Sequence, residues 1–212
     1  MDQKIDRARW GRDEIFTFFS GISNPFYAVC FRQDVTKLRA YTKANGLSFY
    51  HSLIWLCTKA INEIDAFRDV IRGGEVFRLD HRDPSFTVLK PGSEQFQIVT
   101  MPFYDSLPEF AREAKRRSDA QTAFIDHQLE TDRLIYFSCL PWVDLTMLTN
   151  ERDLAAPGAQ DDVIPHIAWG KYVSVGDRLE VGMSVEVNHR LIDGVHVGRF
   201  AETLTRLIDA LA

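Results

Sequence analysis

Val181-Gly182-Met183-Ser184-Val185-Glu186-Val187 alternates apolar with small or polar residues, and Asn188-His189-Arg190-Leu191-Ile192-Asp193-Gly194 follows it directly. Strict alternation is the period of a strand with one buried face, so this stretch predicts a β-strand that ends in a turn. The turn sets an imidazole four residues ahead of Asp-Gly. A neutral imidazole takes a proton from an alcohol or thiol near pH 7, and a carboxylate held nearby fixes the backbone around it, so the pattern suits a general base. Alone the spacing says little, because H-x-x-x-D-G arises by chance in about 2% of chains of this length. Its neighbours must decide.

Just upstream, Val175-Gly176-Asp177-Arg178 has hairpin-turn composition and makes the last two strand runs, His166 to Val175 and Leu179 to Val187, an antiparallel pair. Downstream, Val197 through Leu211 puts Phe200, Leu204, Leu207, Ile208 and Leu211 on one helical face and leaves Arg199, Glu202 and Asp209 outside. Earlier in the chain, β-branched and aromatic runs predict strands at Phe26 to Phe31, Glu75 to Leu79, Ser85 to Leu89, Phe96 to Met101 and Leu134 to Leu140. Ser48 can cap a helix over residues 48 to 64, with Gly46 breaking it from a short helix before. Ser106-Leu107-Pro108-Glu109 has capping-box form and starts another. Seven strands and about four helices predict a mixed-sheet, two-layer α/β sandwich, with the base-bearing turn at a strand end on an edge of the sheet. No linker or repeat divides the chain, so residues 1–212 are expected to form one domain.

Composition narrows the function classes. The 212 residues are 45% hydrophobic and 26% charged, enough for one large core. A net charge of -5 and a pI near 5.7 oppose a nucleic-acid-binding face, and Lys115-Arg116-Arg117 reads as a solvated helix end. No apolar run reaches the roughly 20 residues of a membrane span, and the first residues lack a signal-peptide core, so a cytoplasmic location is expected. Cys30, Cys57 and Cys139 lie in apolar runs without C-x-x-C spacing and read as reduced core thiols. The spacing of His51, His81, His127, His166 and His196 implies no metal site. Gly73-Gly74 reads as a turn and not as a phosphate loop.

Four separated elements then carry a specific resemblance. They are Trp10-Gly11-Arg12 with Phe16, Phe18 and Phe19; Asp83-Pro84-Ser85-Phe86-Thr87-Val88; Ser138-Cys139-Leu140-Pro141-Trp142; and His189 to Gly194 with Val197 and Phe200. Over nearly its whole length the chain resembles the chloramphenicol acetyltransferases, type A, of the CoA-dependent acyltransferase superfamily. The resemblance implies the sandwich shared by chloramphenicol acetyltransferase and the dihydrolipoamide acyltransferase core, assembled as a homotrimer with active sites between subunits. It implies acetyl transfer from acetyl-CoA, a cosubstrate and not a tightly bound cofactor, to a hydroxyl of chloramphenicol, which would inactivate the antibiotic.

By the same resemblance His189 is the general base, Ser138 donates a hydrogen bond to the tetrahedral oxyanion, and Asp193 pairs with Arg12 to hold the turn around His189. Lys171 and Tyr172 fall where the family places residues beside the pantetheine arm of CoA. Phe19, Tyr27, Phe103 and Phe124 are candidates for an aromatic acceptor pocket, although aromatics in such runs also serve as plain core. Four positions depart from the family pattern. Asn188 replaces a histidine, Phe19 a tyrosine, Ala168 a threonine, and Tyr136 a small amide two residues before Ser138. These departures leave room for a different hydroxyl acceptor. The H-R-x-x-D-G box also resembles dihydrolipoamide acyltransferase cores, and a small-molecule binder with a decayed site is the non-enzymatic alternative.

Overall fold

The computed structural model describes residues 2–212. In chain order the elements are β1 (Gln3–Lys4), α1 (Asp13–Ser20), β2 (Phe26–Asp34), α2 (Thr36–Ala44), α3 (Phe49–Asn62), α4 (Asp65–Arg68), β3 (Asp69–Arg72), β4 (Glu75–Arg78), β5 (Asp83–Leu89), β6 (Phe96–Thr100), α5 (Leu107–Ala120), β7 (Leu134–Leu140), β8 (His166–Gly170), β9 (Val173–Val175), β10 (Arg178–Asn188) and α6 (Gly194–Asp209). The predicted starts at Ser48 and Ser106 are real caps. Each hydroxyl accepts from the backbone N–H three residues on, His51 at 3.3 Å and Glu109 at 3.5 Å.

The main sheet runs β2-β10-β8-β7-β5-β6, with β9 also paired to β10. β5/β7 and β7/β8 are parallel and the other pairs are antiparallel. β1, β4 and β3 form a small second sheet. Alternation along β10 sorts its side chains to two environments. Val181, Met183, Val185 and Val187 are buried with Phe86, Phe137, Ile167 and Trp169 against α3, α5 and α6, where Tyr50 packs on Trp169 and Phe31 on Phe200. Gly182, Ser184 and Glu186 lie on the opposite face.

That opposite face is polar and is crossed by the chain after β7. Gly170 and Gly182 stand next to each other on β8 and β10, and a Cβ on either would run into the backbone of Val143 and Leu145. Their missing side chains let the crossing segment lie on the sheet. Lys171 N donates to the Val143 carbonyl at 2.7 Å, and Ser184 Oγ to the Leu148 carbonyl at 2.6 Å.

Several expectations need correction. The run His166 to Val175 is two strands, because the chain turns away after Gly170. β1 and β3 were not foreseen. β3 reads Asp-Val-Ile-Arg, too short to show a period. β10 is an inner strand flanked by β2 and β8, so the His189 turn does not follow a sheet edge. Cys30 is exposed, whereas Cys57 is buried and burial raises its thiol pKa.

Candidate active site

β10 ends at Asn188 and α6 begins at Gly194, so His189 to Asp193 form the link between them. The His189 N–H donates to the Pro25 carbonyl at 2.8 Å, which fastens the turn to the entry of β2. Arg12, ahead of α1, reaches into this turn from the other side. Its Nη2 donates to the Asp193 carboxylate at 2.7 Å and to the His189 carbonyl at 2.8 Å, and its Nε to the Arg190 carbonyl at 3.0 Å. Nη1 contacts the second carboxylate oxygen, so the pair is bidentate. With the Arg12 side chain 10% exposed, the pair is largely shielded from solvent.

The His189 ring is one-third exposed and held between two aromatic rings. Phe19 stacks on it at 4.0 Å and 27°, and Tyr27 lies at 4.3 Å and 38°. One ring nitrogen, Nε2, is 3.4 Å from Asp193 Oδ1, a distance for Coulomb attraction more than for a hydrogen bond. Partial burial is the largest influence on the ring and holds the His189 pKa below its ordinary value, opposed by Asp193 and reinforced by Arg12. The imidazole is therefore neutral at pH 7. Hydrogen bonding from Arg12 lowers the Asp193 pKa and keeps it a carboxylate. The Tyr27 hydroxyl donates to the Ile192 carbonyl at 3.1 Å, and burial pushes its pKa up to about 12, so it is a donor and not a base. His196 is tied into the same turn, its Nδ1 accepting from the Asp193 N–H at 2.9 Å.

Ser138 lies elsewhere. It is half-buried on β7, and among the described residues its hydroxyl makes no hydrogen bond, which leaves it free to donate. Ser138, Ala168 and Ser184 stand side by side across β7, β8 and β10, and His189 is five residues beyond Ser184. At about 4.8 Å between strands and 3.3 Å per residue, the Cα atoms of Ser138 and His189 are about 19 Å apart. No pair of rotamers spans that gap. Within one chain the imidazole and the free hydroxyl cannot address the same carbonyl.

The other candidates divide accordingly. Phe19 and Tyr27 touch His189, as described. Tyr136 is two residues from Ser138 on the same sheet face, and Phe124 packs edge-on against Phe96 of β6 at 5.4 Å. Lys171 and Tyr172 are exposed just past the end of β8 away from His189, with Tyr172 against Phe49 of α3 at 5.7 Å. Phe103 joins neither group. It stacks on Trp55 of α3 at 5.9 Å, in the helical layer.

A family model described as chloramphenicol acetyltransferase matches residues 2–205. The chain belongs to the chloramphenicol acetyltransferase family. Among its relatives, chloramphenicol acetyltransferase 3 of Escherichia coli is 28% identical over 98% of this chain and 97% of its own length. A solved chloramphenicol acetyltransferase structure has a TM-score of 0.87 at 24% identity, covering 98% of this chain and 100% of its own. A dihydrolipoamide acetyltransferase from Azotobacter vinelandii shares the fold, with a TM-score of 0.70 at 19% identity over 93% of this chain and 86% of its own.

In this member of the chloramphenicol acetyltransferase family, Asn188, noted in the sequence only as a departure from the family pattern, and Arg190, which sequence reasoning passed over, brace the His189 turn from below. Asn188 is buried and donates to the carbonyls of Gln160 and Asp162, both at 2.9 Å, while accepting from the Arg190 N–H. Arg190, also buried, binds Asp161 at 2.6 Å and the Ser20 hydroxyl at 3.0 Å. Apart from Ser20 of α1, their partners lie in the stretch before β8, whose sequence has no period to reveal it.

Proposed function

We propose that the chain transfers the acetyl group of acetyl-CoA to a hydroxyl of chloramphenicol, as one domain over residues 1–212, acting in the cytoplasm as a homotrimer. His189, neutral and held by Arg12 and Asp193, is the observation that carries this reading. Its unprotonated ring nitrogen takes the hydroxyl proton as that oxygen attacks the thioester carbon. A tetrahedral oxyanion forms, and the Ser138 hydroxyl donates to it. The carbon–sulfur bond then breaks and the imidazolium returns its proton to the CoA sulfur. Asp193 moves no proton, because both its oxygens are held by Arg12.

The 19 Å separation supports assembly of the site from two copies, His189 from one and Ser138 from the next, as a head-to-tail ring of three would provide. Exposed apolar side chains beside both halves support it as well. Phe18, 66% exposed, packs on Phe19 beside His189, while Trp142, 71% exposed, follows Ser138 at the end of β7. Lys171 and Tyr172 lie on the Ser138 side, where they would flank the pantetheine arm. Phe19 and Tyr27 would form the acceptor wall on the base side, and Phe124 and Tyr136 the wall opposite. No helix among the described residues is long and apolar enough to cross a membrane.

Co-expression of His189→Ala and Ser138→Ala chains tests this division. Each variant alone is expected to be nearly inactive. An equal mixture should regain about a quarter of wild-type thiol release with chloramphenicol, because that share of interfaces joins an intact His189 to an intact Ser138. A mixture no more active than the two variants measured apart would show that the halves are not shared between copies.

The pH profile tests the base. Because the His189 pKa is held below 6.5, kcat/KM should stay level down through pH 7 and decline only below pH 6.5, about tenfold per unit. An acid limb centred above pH 6.5 would remove His189 from the role.

A further inference from the structure

The face around Ser138 holds a carboxylate that the acetyl-transfer steps do not use. Thr100, Ser85 and Tyr136 stand in register across β6, β5 and β7, and the Thr100 hydroxyl donates to Ser85 Oγ at 2.8 Å. Glu130, in the connection leading to β7, lies over this row. One carboxylate oxygen accepts from the Tyr136 hydroxyl at 2.5 Å, and the other is 3.4 Å from Thr100 Oγ1. To reach a carboxylate that also touches Thr100, the Tyr136 ring must run across the sheet above Ser85. Burial, and next the hydrogen bond to Glu130, raise the Tyr136 pKa, so it remains a phenol and donates.

The next row, about 7 Å along the strands, holds Ser138 on β7 and the pair Thr87–Ile98 on β5 and β6, past the last β5/β7 pair at Phe86 and Phe137. Beyond it stand Leu89, Phe96 and Phe124, all about half exposed. These rows share one face of the sheet, with Ser138 between the Tyr136 ring on one side and exposed aromatic and aliphatic groups on the other. Glu130 sits at the end away from β8. Among the described residues it forms no ion pair, whereas Glu186 on the same face is bound by Arg152 at 2.7 Å. A carboxylate supported only by hydroxyl donors loses hydration when a ligand or second chain covers it, a cost recovered when the cover brings a cation.

We propose that Glu130, oriented by Tyr136, is a specificity-determining carboxylate that admits amino alcohols, binding a protonated amine on the Ser138 face, beyond the Tyr136 ring from the hydroxyl to be acetylated. Neutral alcohols such as chloramphenicol use the apolar walls alone, and an ammonium group adds a charge-assisted hydrogen bond. The inference rests on the acetyl-transfer reading only for the position of the reacting hydroxyl. The carboxylate's preference among ligands stands apart from turnover.

The test uses two para-substituted probes with the full-length protein, 4-(aminomethyl)benzyl alcohol, a cation at neutral pH, and its uncharged counterpart 4-ethylbenzyl alcohol. Equilibrium titration of wild type should show the amine binding about 10- to 100-fold tighter. Glu130→Gln keeps an acceptor for the Tyr136 hydroxyl and removes the charge. It should erase the preference while leaving the Kd of the uncharged probe within about threefold. Equal binding of both probes by wild type, or equal weakening of both by Glu130→Gln, would overturn the proposal. Thiol release from acetyl-CoA in the same samples reports separately on acetyl transfer, so a charge preference without turnover would sink that reading and leave the carboxylate's role standing.

Discussion

Replacing His189 with alanine is expected to lower the rate of acetyl transfer by about 100- to 10,000-fold, the range spanned by positioned general bases. Thermal stability should hardly change. The ring is one-third exposed, and the bonds that fasten the turn come from the backbone carbonyl of His189 and from Asp193, both of which survive the substitution. Residual activity should lack the acid limb below pH 6.5, because the group that titrates there is gone. Coincident loss of activity and melting temperature would show that the histidine is structural. Unchanged activity with an intact fold would return the protein to the class of small-molecule binders.

A second large effect is expected far from the chemistry. Gly182→Ala should destabilise the fold by about 3 kcal/mol, which in a chain of this size corresponds to roughly 6 to 12 °C in Tm. A Cβ there overlaps the Leu145 carbonyl, which is backbone and cannot rotate aside, and Gly170 next to it leaves no slack, its own Cβ position being 2.5 Å from Leu145 N. The crossing segment must therefore lift off the sheet, breaking the bonds to Lys171 and Ser184. Gly198→Ala is the matching control. Gly198 lies on the exposed side of α6 with nothing near its Cβ position, so the same change should stabilise by about 0.5 to 1 kcal/mol. A Gly182→Ala protein that melts like wild type would mean the crossing is not packed as described.

Legibility in the sequence followed the strength of local signals. The alternation of β10, the Gly176 turn, and the caps at Ser48 and Ser106 are set by residues adjacent in the chain, and each was readable without knowing the partner. The position of β10 inside the sheet was not, because strand order depends on pairings between distant segments and leaves no periodic trace. Arg12 and Asp193 could be matched only through a family pattern, being 181 residues apart. The Asn188 brace escaped because its acceptors are backbone carbonyls, which have no sequence identity, and the Arg190 brace because its side-chain partners Asp161 and Ser20 lie 29 and 170 residues away. Glu130 was invisible for a related reason. Its relation to Ser138 exists only through the register of β6, β5 and β7.

The last strand of the chain is also a middle strand of the sheet. β10 fills the space between β2 and β8, so a polypeptide still emerging from the ribosome must wait, with the facing edges of both strands unpaired, until residue 188 has been made. At typical synthesis rates the 22 residues from His166 through Val187 take about one to four seconds, during which the nascent sheet has an open slot lined with backbone donors and acceptors. That slot accepts any strand of suitable pattern, including β10 of a neighbouring nascent chain. The topology that delivers His189 to its clasp thus makes yield at high expression a contest between threading the chain's own last strand and capturing another's.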